Sequence, residues 1–252
     1  MNDEINPSEK TLTPRFSGEY ERFQFEKITG LLTPAEVKEV KKEINKIIKS
    51  KESFEYYEND ILIRIENFIH LSAKLKEILL SEKIIRTVSL YLEEEAVLFK
   101  DKLNFKTKGS RADLPHQDIQ ANWGTYGTQD FVSLGLSLDT CDEENSCVWF
   151  LRRQLPTKSF RFSDTDEPLN LQDFNQSEFV PVEMNPGDAS VHSSFAVHYS
   201  ESQKSDRPRR IIYLTFNKKS FGDHRTTYYN DKLKTYPPNN KRKPGETYEY
   251  KV

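Results

Sequence analysis

Cysteine, long apolar runs and an excess of charge of either sign are all scarce in this chain of 252 residues. The two cysteines, Cys141 and Cys147, form no CxxC pair, so neither a disulfide framework nor a zinc knuckle is expected. No apolar run approaches the roughly 20 residues that span a bilayer, and the N-terminus lacks a basic region followed by an apolar core. We therefore expect a cytoplasmic protein without a membrane partner.

Charged residues are abundant but balanced: 37 Lys and Arg against 40 Asp and Glu leave a formal charge of -3. No overall field therefore favours nucleic acid as a partner. Aromatic residues make up 12% of the chain, enough for a sizeable core. A single barrel domain can reach roughly 200–250 residues, so we predict one domain over 1–252 with a small-molecule substrate. The sequence says nothing of the oligomeric state.

The first third of the chain is predicted to be helical after a loose polar segment that ends at about Thr13. Thr33-Pro34-Ala35-Glu36 has the form of a capping box, and the apolar periodicity that follows predicts a helix to about Lys49. Ser72 is a candidate cap for a second helix, and a third runs from about Glu82 to Tyr91. The helical part thus covers about residues 20–92.

Alternating apolar and polar residues then predict strands over about residues 95–217. The clearest runs are Ala96–Lys106 and Phe131–Leu138, and further strands are expected at Cys147–Leu151, Phe179–Glu183, Ala189–His192 and Arg210–Phe216. Helices first and many short strands later predict an α+β, mainly β, protein: a sandwich or barrel with the N-terminal helices packed outside. The extension 218–252 is predicted to be irregular after about Phe221 and to wrap back over the barrel.

His116-Gln117-Asp118 is the first motif with metal-binding chemistry. Side chains alternate along a strand, so an H-x-D step at a strand end points an imidazole and a carboxylate to the same side. Two such ligands can hold one ion, although the tripeptide alone is common.

A third ligand is expected in the segment that follows the turn Pro186-Gly187-Asp188. His198 lies on one predicted strand and Arg209 starts the returning strand, so we expect both on adjacent strands of one wall. Two histidines and one carboxylate on one face of Fe(II) leave three positions open, and an arginine fork can bind a dicarboxylate. His192 is the rival third ligand.

Several segments together resemble the phytanoyl-CoA dioxygenase family. They are Leu98–Lys106, Pro115–Asp118, Asn145-Ser146-Cys147 and the run Gly187-Asp188, His198, Ser200 and Arg209. The resemblance covers roughly residues 95–216 and implies a double-stranded β-helix (a jelly-roll, cupin-like barrel) that uses Fe(II), 2-oxoglutarate and O₂. By the same resemblance, His116, Asp118 and His198 bind iron, Arg209 and Ser200 hold the distal carboxylate of 2-oxoglutarate, and Asn104 is a further contact.

The resemblance favours His198 over His192, because only His198 has a serine two residues later and an arginine eleven residues later. The chain departs from the family pattern at Arg152–Leu155, near the substrate mouth of relatives. Trp123, Tyr126 and Arg153 are candidate substrate contacts; core packing for the two aromatic residues, and solvent exposure for Arg153, are the alternatives.

The implied reaction is hydroxylation of an unactivated C–H bond in a small, polar metabolite, with release of succinate and CO₂. Related halogenases have a small residue where this chain has Asp118, so its carboxylate favours hydroxylation over halogenation, with desaturation and cyclisation left open. Two other functions remain: a cupin-like metal enzyme that does not use 2-oxoglutarate, and a barrel that binds a metabolite without turnover.

Overall fold

Eleven strands, all paired antiparallel, form two sheets in the computed structural model, which describes residues 18–248. The strands are β1 (Phe25–Ile28), β2 (Phe54–Glu58), β3 (Ile61–Glu66), β4 (Ala96–Lys106), β5 (Asp113–His116), β6 (Phe131–Ser137), β7 (Val148–Leu151), β8 (Phe179–Val182), β9 (Ala189–Ser193), β10 (His198–Ser200) and β11 (Arg209–Lys218). The larger sheet has the order β1-β9-β6-β11-β4-β3-β2, and the smaller sheet has the order β5-β10-β7-β8. A cavity between them is therefore walled by both sheets.

The prediction that about residues 20–92 are helical was wrong at β1, β2 and β3, because β1 pairs with the distant β9 and the hairpin of β2 and β3 pairs with β4. The same part of the chain contains four helices, three of them where the sequence predicts them. They are α1 (Glu19–Phe23), α2 (Pro34–Ser50), α3 (Ala73–Leu79) and α4 (Glu82–Leu92). Thr33 and Glu36 form the predicted capping box, in which the Glu36 amide donates to Thr33 Oγ1 at 3.2 Å. Ser72 caps α3. The predicted loose segment up to Thr13 lies outside the described residues.

One core joins the helices to the outer face of the larger sheet. Helix residues such as Ile44 and Val88 are fully buried in the same cluster as Leu134 of β6 and Leu214 of β11. A second cluster, which includes Phe150 and Ile211, fills the space between the sheets. Every residue of β6 is buried, since helices cover one face and the smaller sheet the other. The prediction of a mainly β protein with N-terminal helices outside is confirmed.

The C-terminal extension contains a helix, so its prediction as irregular was wrong. Helix α5 (Arg225–Thr235) buries two side chains, Tyr228 and Tyr229. Tyr229 donates to the backbone oxygen of Asp101 at 2.9 Å, and Arg225 forms an ion pair with the Asp101 carboxylate. Most of the helix is polar, so these tertiary contacts hold a segment that lacks an apolar stripe. No helix within residues 18–248 has the length and apolar character that a membrane span requires.

Candidate metal centre

Two histidines of the smaller sheet face each other directly. His116 ends β5, His198 begins β10, and the two residues are cross-strand partners whose ring centroids lie 4.3 Å apart. Asp118 follows two residues after His116, at the first position of a 3₁₀ turn. One ligand atom from each of the three residues lies within 4.8 Å of the others. The structure thus brings together the three residues predicted as metal ligands.

Backbone carbonyls orient both imidazoles. Nδ1 of His116 lies 2.7 Å from the Leu114 oxygen, and Nδ1 of His198 lies 3.0 Å from the Ala196 oxygen. A carbonyl only accepts, so each Nδ1 carries the proton and each Nε2 keeps a free lone pair. Burial lowers the pKa of both histidines, most strongly that of His198. Both rings are therefore neutral at pH 7, the form that binds a metal ion.

The two oxygens of Asp118 have different surroundings. Ser133 Oγ donates to Oδ2 at 3.2 Å, and His192 Nε2 lies 3.3 Å from the same oxygen. Oδ1 accepts neither of these hydrogen bonds and lies 4.0 Å from His116 Nε2. Burial opposes ionisation of Asp118, but the His192 hydrogen bond and the nearby Lys102 ammonium hold its pKa well below the usual range. The donor set of two free imidazole nitrogens and one ionised, oriented oxygen suits a facial iron site.

The structure places His192 against Asp118, in the wall of the same site. It is buried on β9, and it lies outside the group of potential ligands that contains His198. Sequence reasoning considered His192 only as a rival ligand, and it overlooked Ser133 completely. The apolar–polar alternation of Phe131–Leu138 places Ser133 on the inner face, but which carboxylate it meets depends on strand pairing.

Two glutamines of the motif segment fix a loop over the centre. The Gln117 amide donates to the Phe160 and Phe195 oxygens at 2.8 and 2.7 Å. The Gln120 side-chain amide donates to the backbone oxygen of Glu167 at 2.6 Å. The segment between β7 and β8, which includes the part that departs from the family pattern, is thereby tied to the turn that carries Asp118.

A cavity of about 240 Å³ opens in front of the centre. His116, His198 and Ser200 contribute to its lining from the smaller sheet, and Lys102, Asn104 and Tyr213 from the larger one. Cavities for drug-sized ligands have roughly 300–1,000 Å³. This space therefore suits small molecules.

Arg209 lies on the larger sheet, opposite His198, so the prediction that they occupy adjacent strands of one wall was wrong. The chain crosses between the sheets in the turn after β10, and β11 pairs with β4 and β6 instead. Arg209 is 1% exposed; it forms no ion pair within residues 18–248, and its Nε lacks a hydrogen-bond partner. Arg209 is not part of the cavity lining, whereas its cross-strand partner on β4, Lys106, does line the cavity.

The other two predicted cosubstrate residues do line the cavity. Ser200 donates to Asp113 Oδ2 at 2.8 Å, and Lys106 contacts the same oxygen at 3.0 Å. Burial opposes ionisation of Asp113, yet the Lys106 ammonium lowers its pKa, and Arg209 contributes further. Asn104 has a buried side-chain oxygen without a hydrogen-bond partner. Polar groups capable of binding a carboxylate thus meet at one end of the cavity.

The three candidate substrate contacts lie away from the cavity lining. Trp123 is buried in an aromatic cluster, with its ring 5.7 Å from that of Phe99. Tyr126 donates to Asp231 at 3.2 Å, and Arg153 forms an ion pair with Glu178. For these residues the structure shows the packing and surface pairing that were the alternatives.

Comparison with known proteins agrees with the geometry of the centre. Residues 25–211 match the model of the family described as phytanoyl-CoA dioxygenase. The chain belongs to the phytanoyl-CoA dioxygenase family. This member is 34% identical over 188 residues to 2-aminoethylphosphonate dioxygenase of uncultured bacterium HF130_AEPn_1, covering 75% of this chain and 71% of the relative. It is 30% identical to methylphosphonate hydroxylase of Gimesia maris, covering 69% and 65% respectively.

Solved structures share the fold of this family member at low sequence identity. EctD from S. alaskensis with 2-oxoglutarate and 5-hydroxyectoine has a TM-score of 0.71 at 14% identity, over 86% of this chain and 79% of EctD. The epimerase SnoN in complex with Fe³⁺, α-ketoglutarate and nogalamycin RO has a TM-score of 0.64 at 18% identity, over 92% and 90%. The jelly-roll prediction is confirmed. The protein is a 2-oxoglutarate-dependent dioxygenase with iron as its metal.

Proposed function

We propose that this dioxygenase hydroxylates a C–H bond of a small phosphonate and converts 2-oxoglutarate to succinate and CO₂. The observation that carries the proposal is the oriented cluster of His116, Asp118 and His198 at a small cavity lined by four lysine and arginine side chains. These basic side chains favour an anionic substrate, and similarity to the 2-aminoethylphosphonate and methylphosphonate enzymes supports a phosphonate as that anion. Bound iron, with 2-oxoglutarate and O₂, supplies the oxidation.

In this proposal the protein holds the metal ligands ready before the metal arrives. His116 and His198 present Nε2 lone pairs because Leu114 and Ala196 accept their Nδ1 protons. Asp118 presents Oδ1 because its other oxygen is already hydrogen-bonded. Preorganised ligands bind with less loss of side-chain entropy.

Arg209, Ser200 and Asn104 are proposed to hold the distal carboxylate of 2-oxoglutarate. Ser200 and Asn104 line the cavity, and Arg209 contributes a buried positive charge that forms no ion pair in the described part of the chain. A buried cation without an anion is costly, so an incoming carboxylate is favoured there. Ser200 must then share its hydroxyl between this carboxylate and Asp113.

The first experiment separates cofactor binding from turnover. Purified protein is titrated anaerobically with Fe(II) and then 2-oxoglutarate, and the visible metal-to-ligand charge-transfer band is recorded. We expect a band in wild type and in the control His70→Ala, because His70 is exposed and does not line the cavity. We expect no band in His198→Ala. Wild-type protein that binds iron but shows no band would contradict the assignment of the cosubstrate site.

The second experiment identifies the substrate class. Succinate release is measured with methylphosphonate, 2-aminoethylphosphonate and their carboxylate counterparts, and phosphorus NMR identifies the product. The proposal predicts succinate and a hydroxylated phosphonate in equal amounts. Faster turnover of the carboxylates than of the phosphonates would refute a phosphonate substrate, and so would the absence of turnover with both sets.

A further inference from the structure

The basic side chains around the cavity do not all form ion pairs with the described residues. Four lysine and arginine side chains line it: Arg64, Lys102, Lys106 and Arg111. Three form ion pairs: Arg64 with Glu66, Lys106 with Asp113 and Arg111 with Glu58. Lys102 forms none with any residue between 18 and 248. Among these four cations, Lys102 alone forms no ion pair in the described part of the chain, and its ammonium lies over the Tyr213 ring.

The residue opposite Lys102 on β3 is Glu66, but other cations already occupy its carboxylate. Lys232 of α5 contacts Glu66 at 2.6 Å, and Arg64 contacts it at 3.3 Å. Lys100 is buried beside the same carboxylate. We call Arg64, Lys100, Lys102 and Lys232 the basic cluster. Three of its members act on the Glu66 carboxylate, and Lys102 is the cross-strand partner of Glu66 and repels Lys100 and Lys232.

The basic cluster carries electrostatic strain. Burial lowers the pKa of Lys232 to about 8, and the attraction of Glu66 offsets this lowering only in part. Burial also lowers the pKa of Lys100 well below its usual value, with repulsion from Lys232 and Lys102 adding to the effect. An anion bound beside the cluster would relieve this repulsion.

Lys102 is also placed close to the metal centre. Its Nζ lies 5.0 Å from the centroid of the Tyr213 ring, and both residues line the cavity. Its charge acts on Asp118 and His116, which places the ammonium within electrostatic reach of the proposed iron ligands. An anionic group at Lys102 would therefore sit near the site of oxidation.

We propose that Lys102, with Arg64 on the neighbouring strand, binds the phosphonate group of the substrate and holds the adjacent carbon at the metal centre. This inference rests on the proposed phosphonate specificity. A compact anion with three acceptor oxygens suits an ammonium beside a guanidinium, which together offer several donors. Cosubstrate and substrate then bind to different cations, Arg209 and Lys102.

The test uses protein loaded anaerobically with Fe(II) and 2-oxoglutarate, in which no turnover occurs. Methylphosphonate and 2-aminoethylphosphonate are titrated in, and the change in the charge-transfer band reports their binding. Lys102→Met is compared with wild type, with Lys102→Arg, and with Lys218→Met, a strand lysine outside the cavity that pairs with Asp130. Thermal unfolding of each metal-free variant is measured in parallel.

We expect Lys102→Met to bind both phosphonates roughly 30-fold more weakly, because it loses a hydrogen bond between two charged groups. Its affinity for 2-oxoglutarate should match that of wild type, and its Tm should not fall, because repulsion within the basic cluster decreases. Lys102→Arg should recover most of the phosphonate affinity, and Lys218→Met should bind like wild type.

Each contrary outcome has a distinct meaning. Normal phosphonate binding by Lys102→Met would overturn the inference and leave the phosphonate specificity intact. Loss of 2-oxoglutarate binding in Lys102→Met would overturn it as well, because Lys102 would then be a cosubstrate ligand. Failure of wild-type protein to bind either phosphonate, with a normal 2-oxoglutarate band, would refute the proposed substrate class and the inference with it.

Discussion

Replacing Arg209 by methionine should separate cosubstrate binding from stability. Arg209 is 1% exposed and forms no ion pair within residues 18–248. If it holds the distal carboxylate of 2-oxoglutarate, truncation removes one partner of a buried charge pair, a loss of about 2–5 kcal/mol. The Kd for 2-oxoglutarate should then rise roughly 30- to 4,000-fold.

The same substitution should not destabilise the cosubstrate-free protein. Methionine preserves much of the side-chain volume and removes a buried charge whose desolvation costs several kcal/mol. Asp113, which Arg209 influences electrostatically, keeps its contacts with Lys106 and Ser200. We therefore expect the Tm of Arg209→Met to equal or exceed that of wild type.

Arg210 provides the matched control, because it is the next residue on the same strand. It donates to Asp139 through two nitrogens at 2.8 and 2.9 Å, with both side chains mostly buried. Arg210→Met should lose about 1–3 kcal/mol of unfolding free energy, moderated by partial exposure, while 2-oxoglutarate binding stays unchanged. Anaerobic titration of the charge-transfer band gives the Kd, and urea denaturation gives the stability.

Two results would refute this reasoning. One is a 2-oxoglutarate affinity of Arg209→Met within threefold of wild type, roughly 0.7 kcal/mol, which would move the carboxylate site to a cation that lines the cavity, such as Lys106. The other is a lowered Tm in Arg209→Met with weaker binding in both variants, which would show that structural damage accounts for the loss.

Three further predictions concern the centre and its supports. His192→Phe should weaken metal binding about 10- to 100-fold by removing the donor to Asp118, as metal titration of folded protein would show; unchanged affinity would exclude an orienting role. Phe99→Ala should lower the unfolding free energy by about 3–5 kcal/mol in urea denaturation, because Phe99 is fully buried among four aromatic rings. A loss below roughly 1 kcal/mol would mean that the surrounding rings collapse into the cavity left by Phe99. The folded-state pKa of His116 and of His198 lies below the unfolded value, so the unfolded chain binds more protons than the folded protein as pH falls below roughly 6.5. The unfolding free energy of metal-free protein should therefore decrease with falling pH in this range, and it should decrease less steeply in His198→Gln. Equal slopes for wild type and His198→Gln would contradict the assigned pKa shift.

Local patterns were sufficient for most helices and strands. The capping box at Thr33 and the serine cap at Ser72 depend on residues within one turn, and both form as predicted. The alternation in Ala96–Lys106 predicted β4 with its observed ends. Helix α5 escaped prediction because its contacts, among them Tyr229 with Asp101, join residues 128 positions apart.

By itself, the sequence determined the His-x-Asp step, the distal histidine and the family to which they belong. These are properties of spacing along the chain, because an H-x-D step at the end of a strand places both side chains on one side of it. Only the tertiary structure decided that His198 and Arg209 lie on opposite sheets, that His192 supports Asp118, and that Lys102 forms no ion pair within residues 18–248. The physical reason is that strand pairing and charge balance depend on residues far apart in sequence, which meet only when the two sheets close around the cavity.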